Sequence, residues 1–241
     1  NITNTGLDNL VLSTNSANTG NLVFKGNSVV NGEIGTNSNN LESITAGVSG
    51  KTVTFNDMVY ASSLKYIDNG TVILNGENNS NIEGFIGIVD LNSKTGTLEI
   101  GDNVDLTTGI SGIQFENANT STLTFNGSST IYGVLGGNTT GNSTFESLYA
   151  GITGKEVTFK NDVYVKESTF HVSEDGVVNF EGNLYGDLVF ENDGTVNVAN
   201  TKSIIVSSTP LAITTANNGQ GTINFEGITT LYTDIGEDLF R

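Results

Sequence analysis

LVFKGNSVVNGEIG, residues 22–35, is a motif that occurs three times in this 241-residue chain. It returns as LTFNGSSTIYGVLG at residues 123–136 and as INFEGITTLYTDIG at residues 223–236. The motif glycine stands at Gly26, Gly127 and Gly227, so the successive copies are 101 and 100 residues apart. A long and nearly constant period is typical of repeat proteins, whose units stack into one continuous body.

A second match extends the repeat beyond the motif. AGVSGKTVTF at residues 46–55 matches AGITGKEVTF at residues 150–159, but these two segments are 104 residues apart. The three additional residues belong to the stretch 136–143, which directly follows the second motif copy. Repeat proteins accept insertions in loops, so we expect a longer loop at this point.

A shorter pattern of apolar, variable and apolar residues recurs nine times. It begins as Leu22-Val23-Phe24 and ends as Ile223-Asn224-Phe225. Residues two apart in a strand point to the same face, so the outer residues of each triplet are predicted to face a core. The third residues of the triplets form one predicted inward ladder, which is Phe24, Phe55, Leu74, Ile100, Phe125, Phe159, Phe180, Val198 and Phe225.

The spacing of this ladder predicts the fold. Its members are 18 to 34 residues apart, whereas the strands of a sandwich follow one another at about 8 to 12 residues. Parallel strands need longer returns, and Asn-Gly pairs such as Asn31-Gly32 can form corners between short strands. We therefore predict an all-β protein, a right-handed parallel β-helix (β-solenoid) with three-sided coils of 18–34 residues.

The whole chain, residues 1–241, is predicted to be a single solenoid. Residues 1–20 form an irregular leading segment, 21–121 a first block of four coils, 122–221 a second block, and 222–241 the start of a third. The third motif copy departs from the pattern at Thr233, which replaces the glycine of the first two copies.

Composition narrows the possible functions. The formal net charge is −17 and the sequence pI is about 4.1, and a field of this sign repels nucleic acid and anionic lipid. The chain has no cysteine, which excludes disulfides and thiol chemistry. No apolar run approaches the length of a membrane span, so no transmembrane segment is predicted. Because the chain starts at Asn1 without a leader, we expect it to be an internal fragment of a longer protein.

Candidate catalytic residues are few. His171 is the only histidine, and its place between Phe170 and Val172 predicts a solvent-facing strand residue rather than the centre of a catalytic triad. The acidic residues that could serve a polysaccharide-cleaving groove are Asp187, Glu191 and Asp193, or Glu174 with Asp175. Arg241 is the only arginine, so basic neighbours for an acidic sugar do not recur. We predict no catalytic residue and no cofactor.

Two kinds of glycine-containing segment resemble binding loops. Gly50-Lys51-Thr52 is similar to the end of a phosphate-binding loop, but the first glycine of that motif is missing and a turn is favoured. Asp68-Asn69-Gly70 and Asn192-Asp193-Gly194 could bind calcium, yet the nonapeptide of calcium-binding β-rolls is absent. Zinc usually needs several cysteine or histidine ligands. No metal site is predicted, and bound calcium is left open.

The third motif copy carries a family resemblance. Its pattern Phe-x-Gly-x-Thr-Thr, from Phe225 to Thr230, followed by Ile235-Gly236, resembles the repeated motif in passenger regions of rickettsial surface cell antigens. Those proteins are the outer-membrane protein A and B autotransporters. The resemblance covers the chain from Leu22 to its end. It implies a passenger region that its own C-terminal translocator barrel, which is not in this chain, carries through the outer membrane to the bacterial cell surface.

The resemblance implies a function in host-cell adhesion and entry. We expect a non-enzymatic adhesin or surface-coat segment whose partner is a host cell-surface protein or glycan. The alternative is a β-helical carbohydrate-active enzyme, a polysaccharide lyase or hydrolase, which would need a groove holding two or three carboxylates.

Loops vary in length without disturbing a stacked core, so partner contacts are predicted in the inserted loop. The predicted contact residues are Asn138, Thr139, Thr140 and Asn142, with Tyr132 and Tyr149 as aromatic anchors. In the alternative interpretation both tyrosines pack against the coil.

Overall fold

The computed structural model describes residues 2–3, 11–75, 85–90, 94–108, 121–136, 145–205, 212–231 and 234–236, and its regular elements there are all strands. Most strands have two to four residues, because glycine and asparagine corners interrupt them. In chain order they are β1 (Ile2–Thr3), β2 (Val11–Leu12), β3 (Asn21–Val23), β4 (Ser28–Asn31), β5 (Glu33–Ile34), β6 (Ser43–Ala46), β7 (Thr52–Phe55), β8 (Val59–Tyr66), β9 (Thr71–Leu74), β10 (Phe85–Asp90), β11 (Thr97–Ile100), β12 (Leu106–Thr108), β13 (Thr122–Phe125), β14 (Ser129–Tyr132), β15 (Ser147–Ala150), β16 (Glu156–Phe159), β17 (Val163–Val172), β18 (Val177–Phe180), β19 (Leu184–Phe190), β20 (Thr195–Val198), β21 (Ile204–Ile205), β22 (Ala212–Thr215), β23 (Thr222–Phe225) and β24 (Asp234–Ile235).

The strands stack in parallel on three faces of the solenoid. From β1 onward the chain passes through faces 1, 2 and 3 in turn. Face 1 is β1-β4-β7-β9-β11-β13-β15-β17-β19-β22-β24, and face 2 is β2-β5-β8-β10-β12-β14-β16-β18-β20-β23. Face 3 holds β3, β6 and the second halves of β8 and β10, and later the first halves of β17 and β19 with β21. The long strands β8, β10, β17 and β19 each turn a corner and so belong to two faces. The predicted parallel β-solenoid is confirmed.

The predicted inward alternation is confirmed in seven of the nine triplets, where both outer residues are buried. The first and last triplets differ. Leu22 is only partly buried, and Phe225 is 37% exposed, because β23 is paired on one side only among the described strands. Each fully buried side chain of this size stabilises the fold by about 1.5–3 kcal/mol, so the stacked interior supplies most of the stability.

The inward residues do not form one ladder, and the prediction was wrong on this point. Face 1 stacks Phe55, Leu74, Ile100 and Phe125 in register, whereas face 2 stacks Phe159, Phe180, Val198 and Phe225. Phe24 follows β3 on face 3, where its N–H donates to the carbonyl of Thr45 at 2.8 Å. The wide gap between Phe125 and Phe159 therefore combines one coil with a change of face.

Coil length varies among the described coils of face 2. The stacked residues Asn179 and Asn197 are 18 residues apart along the chain, whereas Ser128 and Glu156, on the earlier coils, are 28 residues apart. In both coils the described strands remain short and pair in register.

The long repeat is not a block of four coils, as predicted, but four coils and one further face. The first strand of the motif is β3 on face 3 in the first copy, β13 on face 1 in the second, and β23 on face 2 in the third. The last apolar residue moves in the same way, from Ile34 on face 2, through Leu135, which bridges to Val163 on face 3, to Ile235 on face 1. Each copy is thus turned by one face about the solenoid axis.

Candidate functional site

Acidic and amide side chains at the corners bind backbone N–H groups of the adjacent coil. Asp105 Oδ1 accepts the N–H of Thr130 at 2.7 Å, and Asp162 Oδ1 accepts the N–H of Asn183 at 2.8 Å. The same bond is made by Asn27 to Thr52, Asn69 to Thr95, Asp102 to Ser128, Asn183 to Ser203, Asp193 to Gly221 and Asn200 to Ile228. Such bonds contribute about 0.5–1.5 kcal/mol each, and more when the acceptor is charged, so many of these residues hold coils together.

A polar groove lies on the outside of face 2, where β12, β14 and β16 stack in register. Its volume is about 450 Å³. Three successive coils line it with two carboxylates, four hydroxyl or amide groups along its length, and one buried serine; these residues are Asp105 and Glu156, then Asn103, Ser128, Thr130 and Thr158, and Ser129. The groove is the site in the described part of the chain that we consider for ligand binding.

The fold holds the groove side chains in place. Glu156 Oε1 accepts a hydrogen bond from Asn179 Nδ2 at 2.5 Å, and the Glu156 N–H donates to Ser128 Oγ at 3.2 Å. Asn103 has a left-handed backbone, with φ of 59°, which asparagine tolerates better than most residues. Its N–H donates to the carbonyl of Ser128 at 2.7 Å. The groove is therefore formed before any ligand arrives.

The lysines beside the groove are paired with acids. Lys155 forms an ion pair with Asp102, and Lys160 Nζ lies 2.5 Å from Glu181 Oε1. The hydrogen bond from Lys155, together with the N–H of Ser128, lowers the pKa of Asp102. Both pairs are substantially exposed, so each adds little stability. Their consequence is electrostatic, because paired lysines leave the groove carboxylates as its dominant charges.

The two predicted aromatic anchors differ. Tyr132 is 46% exposed and ends β14, two residues after Thr130, so both side chains point to the outer side of face 2. Tyr149 is half-buried on face 1, where its ring stacks on His171 with centroids 4.4 Å apart. The alternative interpretation, in which the tyrosines pack against the coil, therefore holds for Tyr149 but not for Tyr132. Asn138, Thr139, Thr140 and Asn142 lie outside the described residues.

The outward direction predicted for His171 is confirmed, since Phe170 and Val172 are buried on either side of it. The imidazole is half-buried, however, and not freely solvated. Its Nδ1 lies 2.6 Å from Glu191 Oε1, and its ring covers Tyr149. This stacked group lies on face 1 and does not contribute to the groove.

The acids predicted as enzyme candidates have other contacts. Glu174 Oε2 accepts the N–H of Thr153 at 3.0 Å, and Asp175 Oδ1 accepts the N–H of Asp193 at 3.2 Å. Asp187 is only 6% exposed, and its Oδ1 has no hydrogen-bond partner among the described residues. Burial raises the pKa of Asp187 to about 6. Glu174, Asp175 and Asp193 thus make hydrogen bonds at corners, Glu191 contacts His171, and Asp187 is buried. None of these acids lines the groove.

The segments that resemble phosphate-binding or calcium-binding loops make hydrogen bonds within the fold, as far as the structure describes them. Gly50-Lys51-Thr52 belongs to a turn that the N–H of Lys51 closes on the carbonyl of Val48 at 2.9 Å. The calcium candidates Asn69 and Asp193 accept backbone N–H groups of the adjacent coil. Within the described ranges no group of three or more His, Cys, Asp or Glu residues is placed to hold a metal ion.

The groove residues were not predicted from the sequence, although one signal for them was present. Where the two blocks otherwise match, Tyr132 replaces Asn31 and Glu156 replaces Thr52. These exchanges at outward positions change the chemistry of the surface without changing the inward pattern of the repeat.

Comparison of the chain with family models, with curated proteins and with solved structures found no match. Across the residues that the structure describes, no helix is long and apolar enough to cross a membrane.

Proposed function

We propose that this chain is a non-enzymatic segment of an autotransporter passenger, displayed on the bacterial surface, that serves as an adhesin or surface coat in attachment to host cells. The observation that carries the proposal is the structural use of acidic side chains. Asp102, Asp105, Asp162 and Asp193 each accept a backbone N–H of the adjacent coil. One oxygen of each carboxylate is thus held by the fold, whereas a general acid or nucleophile must be directed at the reacting atoms of a substrate.

The outer surface also supports the proposal. On face 2, Asn197 accepts a hydrogen bond from Asn224 at 2.9 Å and donates one to Asn179 at 2.7 Å. On face 1, a row of hydroxyl side chains stands in register along six strands: Thr52, Thr71, Thr97, Thr122, Ser147 and Thr169. A polar surface that repeats coil by coil remains soluble while the body is lengthened, which suits a displayed rod.

One observation favours a carbohydrate-active enzyme as second candidate. The groove on face 2 contains two carboxylates, those of Asp105 and Glu156, and most glycoside hydrolases use a pair of carboxyl groups. Both are already hydrogen-bonded to the fold, through Thr130 and Asn179 respectively. For this reason we place the enzyme second.

The test measures attachment and cleavage on the same protein. Beads coated with the folded chain are expected to bind cultured host cells, and beads coated with the denatured chain are the control. The soluble chain, incubated with neutral and acidic polysaccharides, is expected to release no new reducing ends. Failure of the beads to bind would contradict the attachment role. Release of reducing ends that Glu156→Gln abolishes would establish the enzyme instead.

A further inference from the structure

We infer that the groove on face 2 is a binding site for a neutral glycan, in which Tyr132 supplies the stacking surface. Its use in attachment rests on the proposed function, but the site is argued from its own residues. The groove has a volume of about 450 Å³, which is within the range of ligand sites in proteins. It crosses three coils, and with strands about 4.8 Å apart it is long enough for a disaccharide.

The lining groups complement a sugar. Serine and threonine hydroxyls both donate and accept, as Ser128, Thr130 and Thr158 can here, and a carboxylate accepts from two hydroxyls at once. Asp105 and Glu156 each have a second oxygen beyond the one that holds them to the fold. Adjacent hydroxyls of a pyranose ring present this combination of donors and acceptors.

Charge selects a neutral ligand. The groove carboxylates and the net charge of −17 disfavour sulfated or uronic-acid glycans. Lys155 and Lys160, which could attract an anion, are each paired with an acid. Phosphate-bearing and nucleic-acid ligands are disfavoured for the same reason.

Tyr132 adds the apolar surface that sugars require. Its side chain lies on the same side of β14 as Thr130, about 6.6 Å farther along the strand. A tyrosine ring has an apolar face and a polar hydroxyl, so it can stack on the C–H face of one sugar while the groove binds the hydroxyls of the next.

The first block provides an internal comparison. At the corresponding corner, Asn27 Oδ1 accepts the N–H of Thr52 at 2.9 Å, the counterpart of the bond between Ser128 and Glu156 at 3.2 Å. The local backbone connection is thus kept, but the tyrosine and the glutamate are replaced by Asn31 and Thr52. The backbone connection therefore does not require a tyrosine or a glutamate at these two positions, and the second carboxylate oxygen of Glu156 can serve a ligand.

The experiment uses the whole chain and a panel of neutral hexasaccharides built from glucose, mannose, galactose or N-acetylglucosamine. Hexagalacturonate is the anionic control, and binding is measured by saturation-transfer NMR and titration calorimetry. Tyr132→Asn and Glu156→Thr introduce the first-block residues. The matched control is Tyr149→Thr, which also introduces the first-block residue, Thr45, but on face 1.

We expect at least one neutral hexasaccharide to bind, hexagalacturonate not to bind, and each groove variant to lower the affinity at least tenfold, while Tyr149→Thr leaves it unchanged. In the unaltered chain the bound glycan should shift the ring resonances of Tyr132, which tests the site without any variant. Absence of binding to the whole panel, or equal affinity for Tyr132→Asn, would overturn the inference. If the unaltered chain attaches to cells but binds no glycan of the panel, the glycan site alone is overturned. If it binds a glycan but does not attach to cells, the attachment role alone is overturned.

Discussion

The first and second motif copies, residues 22–35 and 123–136, have the same local structure on different faces. Val30 and Ile131 are both buried, and the copies end at Gly35 and Gly136 with φ of 74° and 73°. Yet β4 stands on face 1 and β14 on face 2. The motif therefore determines which side chains point inward and where the chain turns, whereas the summed coil lengths determine which face it occupies.

The outer sides of the two copies have diverged. Val29, on the outside of β4, is 38% exposed, and its counterpart Thr130 lines the groove. Inward residues keep their size because they fill a closed interior, but outward residues face solvent and can acquire a ligand chemistry.

The largest expected effect is in the core. Phe125→Ala should lower the free energy of unfolding by about 3–5 kcal/mol, since its ring packs edge-on against Phe159 with centroids 5.5 Å apart. Phe24→Ala should cost less, because the other inward residue of its triplet, Leu22, is only partly buried. Urea unfolding measures both. Thr124→Ala, on the outer side, should cost less than about 0.5 kcal/mol; a loss equal to that of Phe125→Ala would show the inward assignment to be wrong.

The glycine that ends the motif comes next. Gly35→Ala should cost about 2–4 kcal/mol, because its φ is 74° and an added Cβ would lie 2.3 Å from the carbonyl oxygen of Tyr60. Gly50→Ala is the matched control, with φ of 64° and no atom within 4 Å of the added Cβ. It should cost only about 1–2 kcal/mol. Equal losses in urea unfolding would mean that φ alone, and not the close approach of Tyr60, requires glycine at the motif end.

A smaller effect on the free energy of unfolding is expected from Asp187. This residue continues the row of hydroxyl side chains on face 1, where it stacks in register on Thr169. Burial raises its pKa from 3.8 to about 6, so the folded state keeps a proton that the unfolded state releases. The free energy of unfolding should therefore fall as pH rises from about 4 to above 6, by about 1–3 kcal/mol from this group.

Asp187→Asn removes that titration. The variant should be more stable than the unaltered chain above pH 6, and the difference between them should shrink as pH falls towards 4. Thermal or urea unfolding across this range measures it, and groups common to both proteins cancel. A difference that is constant with pH would mean that Asp187 does not hold its proton in the fold.

An effect on stability smaller than that of Asp187 is expected from the insertion in the second block. Ser128 and Glu156 are 28 residues apart, whereas their first-block counterparts Asn27 and Thr52 are 25 residues apart. Deleting residues 138–140 restores the shorter coil and should change the free energy of unfolding by less than about 1 kcal/mol, because loop closure depends weakly on length. Bead attachment to cells then tests the predicted contact loop. Unchanged attachment by the folded deletion variant would exclude it.

Strand periodicity, the parallel solenoid and the direction of most inward side chains, such as those of Val53 and Phe55, could be predicted from the amino-acid sequence. This was possible because alternation along a strand is a local property with a period of two residues. The outward direction of His171 followed from the same rule.

The face that each strand occupies, and the outward residues that meet there, depended on the three-dimensional arrangement of the coils. The groove joins Asp105, Thr130 and Glu156 from three successive coils, and the sequence separates them by roughly one coil each. Their meeting depends on where each strand begins along the chain, since strand on strand stacking, and not a fixed number of residues, decides which outward side chains become neighbours. Stacked residues on face 2 are separated by 18 residues in one coil and by 28 residues in another. The two ladders and the turn of one face between motif copies arise because these unequal coils must still stack strand on strand to satisfy their backbone hydrogen bonds.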